Sequence, residues 1–172
     1  MNKQIINWIL FEYDKWNFYI AKTDKGLCYV SSPGQTYDAF EEGVSKLFPQ
    51  ASLVENGEAL QPYIDELHEY LSGKRETFTL PIDVKGTPFQ EEVWNALNQV
   101  PYGKTYSYSE IAELIQKPRA VRAVGSAIGA NPVLISIPCH RVIGKNGNIT
   151  GYRGGVEMKQ FLLGLESGNT VG

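Results

Sequence analysis

Cysteine, histidine and methionine are scarce in this chain, two of each among 172 residues. Cys28 and Cys139 cannot supply a disulfide framework, so reduced thiols are expected, as in a cytoplasmic protein. His68 and His140 are widely scattered and match no zinc-binding spacing, so no metal is expected. No apolar run approaches the ~18 residues of a membrane span, and the start Met1-Asn2-Lys3 leads into no signal-peptide pattern. No internal repeat or low-complexity tract occurs either. A hydrophobic content of 42% with 20% charged residues describes a chain able to bury an ordinary core.

Acid is missing from one region only. Residues 1–84 hold seven Lys/Arg against thirteen Asp/Glu, a net of −6, whereas residues 85–172 hold nine against six, a net of +3. Within the second half, Leu114 to Val156 carries Lys117, Arg119, Arg122, Arg141, Lys145 and Arg153 and no Asp or Glu. The overall charge of −3 therefore hides a basic stretch suited to a polyanionic partner.

The acidic half reads as a supporting α+β domain. Ile5–Phe11 and Trp16–Lys22 are aromatic and β-branched runs that predict strands, and Asp24-Lys25-Gly26 turns the chain into a third strand over Leu27–Ser31. Cys28 lies inside that strand and reads as a buried structural residue. Helices are predicted over Tyr37–Phe48 and along Leu60, Ile64, Leu67 and Leu71, with His68 on the shoulder as a packing residue. Ala51–Val54 and Thr77–Leu80 are short strand candidates. Pro81–Gly86 is the boundary, dividing the chain into domains 1–84 and 85–172.

The basic half opens with helix signals. Thr87 and Gln90 suit a capping box around Pro88 at the first helical position. Ser107 and Glu110 repeat the box ahead of Ile111, Leu114 and Ile115. Lys117-Pro118 breaks that helix, and another is predicted from Arg119 to about Ala130. On a wheel, Val121, Val124 and Ile128 point one way, while Arg119, Arg122, Ala123, Ser126, Gly129 and Ala130 point the other. Two short helices joined tightly form a helix-turn-helix, and a basic face of small residues lets a phosphate backbone come close. Gly144–Gly155 is a glycine-rich loop. A last helix carries Met158, Phe161, Leu162 and Leu165 and ends near Glu166; the tail Ser167–Gly172 is expected to fray.

The chemistry centres on Ile135–Gly144, Ile-Ser-Ile-Pro-Cys-His-Arg-Val-Ile-Gly. Ile135 and Ile137 alternate with Ser136, which predicts a half-buried strand ending at Pro138. A thiol at a strand end beside an imidazole is an arrangement for covalent chemistry. A free thiol near pKa 8.5 is only roughly 3% thiolate at neutral pH, so activation is required. Adjacent side chains on a strand point to opposite faces, so His140 would act on Cys139 through a water or a sharp turn.

The run Pro138-Cys139-His140-Arg141-Val142, with Asn131-Pro132 before it and Gly151-Tyr152-Arg153-Gly154-Gly155 after it, resembles the O6-alkylguanine-DNA alkyltransferases, the methylated-DNA–protein-cysteine methyltransferases. The resemblance runs from about Thr87 to Glu166. It implies a small N-terminal ribonuclease-H-like sheet domain, then a mostly helical, winged-helix-like C-terminal domain carrying the helix-turn-helix, an α+β protein overall. It also implies a cytoplasmic monomer that repairs double-stranded DNA without a cofactor. Cys139 would accept the alkyl group from O6-alkylguanine, and from O4-alkylthymine, irreversibly. His140 would activate it through a bridging water, Glu166 would orient His140, and Asn131 would be the hinge between the helix-turn-helix and the active-site segment. Tyr108 would contact the flipped guanine and Arg122 would enter the duplex in its place, with Arg119, Ser126, Arg141, Val142 and Arg153 completing the substrate and DNA contacts. Leu134 stands where some relatives have a pocket-wall proline. Cys28 and His68 alone cannot reproduce the N-terminal zinc site of others. Two alternatives stay open on the residues themselves: a Cys-His-Glu hydrolase, which would turn over, and a winged-helix regulator, which would not need Cys139.

Overall fold

The structure is a computed structural model that describes residues 4–149 and 151–168; the tail from Asn169 onward lies outside the described residues. It divides into two compact units, Met1–Lys85 and Gly86–Gly172.

The first unit is built on a four-stranded sheet. β1 (Ile5–Tyr13) and β2 (Trp16–Lys22) form an antiparallel hairpin, β3 (Leu27–Val30) pairs antiparallel with β2, and β4 (Ser52–Glu55) adds parallel to β1, giving the order β3-β2-β1-β4. The period-2 alternation of β1 sends Ile6 and Phe11 to opposite faces, and each face is covered by a helix. α1 (Tyr37–Leu47), capped by the Thr36 side chain, packs Phe40 and Val44 against Ile6, Ala21, Cys28 and Tyr29. Each such buried side chain contributes about 1.5–3 kcal/mol. α2 (Gly57–Leu71) lies on the other face, where the exposed His68 ring leans on Phe11 with centroids 4.9 Å apart. His68 is thus a packing residue.

Thr77–Leu80 does not form the expected strand. The amides of Thr79 and Leu80 and the Thr79 hydroxyl donate to the buried carboxylate of Glu66, and Arg75 binds the same group at 3.1 Å. Backbone donors satisfied by a side chain have no use for a neighbouring strand. The chain rejoins the sheet two residues later, where Ile82 bridges parallel to Leu27.

In the second unit both expected capping boxes form. Thr87 and Gln90 start α3 (Pro88–Leu97), and Ser107 and Glu110 start α4 (Tyr108–Leu114). α5 (Val121–Gly129) begins later than expected, because Pro118 and Arg119 are spent in the turn that joins it to α4. Val124, Ala127 and Ile128 are buried, and the nearly buried Trp94 donates its indole N–H to the Ala127 carbonyl at 2.8 Å, locking α3 to α5. β5 (Tyr106–Ser107) pairs parallel with β6 (Val142–Ile143), and α6 (Val156–Glu166) closes the unit. The buried residues of α6 are Met158, Lys159, Leu162 and Glu166, so its inner stripe is rotated away from the expected Phe161 and Leu165, both half-buried.

Candidate active site

The segment Asn131–Arg141, between α5 and β6, is a compact series of turns and not the expected half-buried strand. Ser136 N donates to Leu134 O at 2.8 Å, Ile137 N to Val133 O at 3.2 Å and Cys139 N to Ile137 O at 2.7 Å. Ile135 has φ +71°, a left-handed conformation that costs a β-branched residue about 1–3 kcal/mol. Ile135 and Ile137 are buried and Ser136 is half-buried, as alternation predicts, but the turn hydrogen bonds and the positive φ exclude a strand. One side chain holds the turns in place. The fully buried Asn131 accepts the Val133 amide through Oδ1 at 2.9 Å, and its Nδ2 donates to the Ile137 carbonyl at 3.1 Å and to Cys139 Sγ at 3.2 Å.

Cys139–Arg141 is a single 3-10 turn. Its side chains therefore fan out instead of alternating as they would on a strand. Cys139 lies against Asn131, whereas His140 and Arg141 both reach Glu166 on α6. His140 Nε2 and Glu166 Oε2 are 2.8 Å apart, both side chains being buried. The Tyr152 ring stands edge-on to the imidazole, with centroids 6.5 Å apart.

Burial decides the resting ionisation. It pushes the Cys139 thiol above its ordinary range, against the Asn131 hydrogen bond and the positive charges of Arg153 and Lys159. Burial also pulls His140 below the usual imidazole range; Glu166 opposes that shift, while Arg141 and Lys159 add to it. Both shifts favour the uncharged forms, a thiol and a neutral imidazole on the same turn.

Around this centre the structure sorts the other expected site residues. Tyr108, half-buried at the start of α4, stands between Gly125 of α5 and Gly151, and burial raises its phenol with the Cys139 thiol as the second cause. Arg122 and Ser126 are exposed on α5 along with Ala123 and Gly129, as are Ala130 at its C-cap and Arg119 in the turn before it. Arg153 is half-buried and donates Nε–H to the Asn131 carbonyl at 3.1 Å.

Arg141 and Val142, expected among the substrate and DNA contacts, both turn their side chains inward. The Arg141 guanidinium is occupied by Glu166 and by the Val100 carbonyl, and Val142 is fully buried in β6. Leu134, too, is fully buried. Lys159 escaped the sequence reading. It is 1% exposed, donates to the Val142 carbonyl at 2.6 Å and bears electrostatically on Cys139. The spacing of Lys159, Leu162 and Glu166, i, i+3 and i+7, was the available signal. Among the described residues, no group of three or more His, Cys, Asp or Glu is placed to hold a metal ion.

Comparison with known proteins covers both units. Residues 6–84 match the ribonuclease-like domain of 6-O-methylguanine DNA methyltransferase, and residues 88–168 match its DNA binding domain. The inducible methylated-DNA–protein-cysteine methyltransferase of Bacillus subtilis is 57% identical over 165 residues, spanning 96% of this chain and 92% of that protein. A methylated-DNA–protein-cysteine methyltransferase of Methanosarcina barkeri is 44% identical, over 87% of this chain and 90% of its own length. The crystal structure of the Mycobacterium tuberculosis O6-methylguanine methyltransferase superposes with a TM-score of 0.82 at 36% identity, covering 95% of this chain and 93% of that one. The Mycobacterium tuberculosis OGT in complex with DNA gives 0.77 at 35% identity, over 95% and 93%. With both units matched in order and nearly end to end, this chain belongs to the 6-O-methylguanine DNA methyltransferase family.

Proposed function

We propose that this chain repairs alkylated DNA by direct reversal, moving the alkyl group of O6-alkylguanine onto Cys139 in a single, irreversible event. The observation that carries this reading is the Cys139 thiol, held by the Asn131 amide on the same short turn as His140, which is paired with the buried Glu166 of α6. A structural cysteine in a dry core has no need of such neighbours.

The reaction balances without a cofactor. His140, oriented by Glu166 through Nε2, takes the thiol proton by way of a water on its Nδ1 side. The sulfur then displaces the alkyl carbon in line; a C–S bond forms, the C–O6 bond breaks, and its electron pair leaves with guanine. The proton ends on guanine, which departs in its ordinary keto form. The product thioether has no leaving group that water could displace, so each protein molecule acts once.

Reaching O6 in a duplex requires the base to leave the stack, at a cost of a few kcal/mol. Arg122, exposed on α5, is the residue we assign to the vacated space. Arg119 and Ser126 serve the phosphates, Tyr108 receives the base beside Cys139, and Arg153 supports the nucleophile from the loop. Both cysteines stand as free thiols, which suits the reducing cytoplasm.

The test is the intact mass of the protein after incubation with DNA containing O6-methylguanine. The expected result is a gain of one methylene unit, located on Cys139, reaching a plateau of one per protein molecule however much damaged DNA is supplied. Product in excess of protein would place the chain with the hydrolases, and an unchanged mass with the regulators.

A further inference from the structure

The geometry points to Arg141 as a positioning residue for the alkyl transfer, a clamp that fixes Glu166 so that the carboxylate steers His140 without drawing it into an ion pair. This rests on the proposed reaction, in which His140 must be a neutral base when substrate arrives.

Three hydrogen bonds define the clamp. Arg141 Nε donates to Glu166 Oε1 at 2.7 Å and Nη2 donates to Oε2 at 3.0 Å, a two-armed fork, while Nη1 donates to the Val100 carbonyl at 2.6 Å. The guanidinium carbon lies 5.7 Å from the centre of the Tyr102 ring. The Val100–Gly103 turn adds two weaker contacts to the same end of α6: the Tyr102 hydroxyl donates to Leu165 O, and the Gly103 amide approaches Glu166 Oε1, each at 3.4 Å. Glu166 Oε2 is thus shared between Arg141 and His140.

Sharing changes what Glu166 does. A lone buried carboxylate facing an imidazole favours the imidazolium, and a base that already holds a proton cannot take one from a thiol. A planar guanidinium on the far side neutralises that field while leaving one lone pair of Oε2 to receive the imidazole N–H. Among the described residues, groups that face His140 include Glu166 and Lys159 from α6, Arg141 on its own turn, and Tyr152 from the loop. Of these, Glu166 pulls His140 toward the charged form, and Arg141 is the cation bonded to that carboxylate. Burial of the imidazole works in the same direction as Arg141.

The experiment uses the full chain as wild type, Arg141→Gln and Arg141→Lys. Two quantities are read: the NMR titration of the His140 ring, with His68 as an internal control, and the pH profile of single-turnover alkylation of Cys139 by free O6-alkylguanine base. In Arg141→Gln the His140 titration should move up by about one pH unit or more, and the rate at neutral pH should fall by the fraction of His140 newly protonated there, recovering as pH is raised past the new titration. In Arg141→Lys, which keeps the charge but loses the fork, His140 should titrate near its wild-type position while the rate falls at every pH. An unmoved His140 in Arg141→Gln overturns the clamp. If that variant does not fold, Arg141→Lys decides alone, and a wild-type rate in it rejects the proposal. Failure of the wild-type protein to alkylate at all would reject the reaction instead, and the His140 titrations would still report on Arg141.

Discussion

The two units each bury one cysteine, and the contrast between them shows what makes a thiol chemical. Cys28 is 0% exposed and Cys139 3%, so burial alone does not tell them apart. Burial is also the largest cause pushing each thiol upward. The next cause differs. For Cys28 it is the carboxylate of Asp83, which pushes further in the same direction, and the thiol is raised to about 12. For Cys139 it is the Asn131 amide, followed by the charges of Arg153 and Lys159, all of which favour the thiolate. One sulfur is a small hydrophobe between a sheet and a helix. The other is buried among donors and cations that gain most when it ionises.

Exchanging the two sulfurs should give the largest effect. Cys139→Ser should abolish alkyl transfer while DNA affinity stays close to wild type and still falls with added salt, since Arg119 and Arg122 are untouched. Cys28→Ala should transfer one alkyl group per molecule at the wild-type rate and lose only about 1 kcal/mol of stability, read from the denaturant midpoint. Collapse of DNA binding in Cys139→Ser would make Cys139 as structural as Cys28.

A smaller effect sharpens the same contrast between site and scaffold. Arg122→Lys keeps the charge of the exposed face but loses the flat guanidinium that can stack among bases. The ratio of the transfer rate on duplex DNA to that on free O6-alkylguanine base should fall about tenfold in Arg122→Lys and further in Arg122→Ala. The free base needs no flipping, so it reports whether Cys139, His140 and Glu166 remain competent. An unchanged ratio in Arg122→Lys would reduce Arg122 to a phosphate contact.

What the sequence made legible was local or periodic. Both capping boxes depend on residues three apart, and both form where Thr87-Gln90 and Ser107-Glu110 stand. The exposed face of α5 followed from helical spacing alone. Misreadings arose where a side chain replaced a backbone partner. Glu66 takes the amides that would have made Thr77–Leu80 a strand, and Asn131 does the same for the turns before Cys139. Neither substitution leaves a trace in hydrophobic alternation. Arg141 stands in an acid-free run that predicts contact with a polyanion, and the carboxylate that draws it inward lies 25 residues further on. Lys159 was missed because a lysine on an inner stripe is rare and its acceptor is a backbone carbonyl.

The left-handed Ile135 has a consequence for how the site comes apart. A β-branched residue in that conformation is unfavourable by itself and persists only while everything around it is in place. The turn Asn131–Cys139 therefore has no stable half-formed version: to release Ile135 is also to release the Asn131 amide and expose Val133, Leu134 and Ile137. The amides of Val133, Ser136, Ile137 and Cys139 should exchange with solvent deuterium as one cooperative block, through a single opening, and not fray residue by residue from either end.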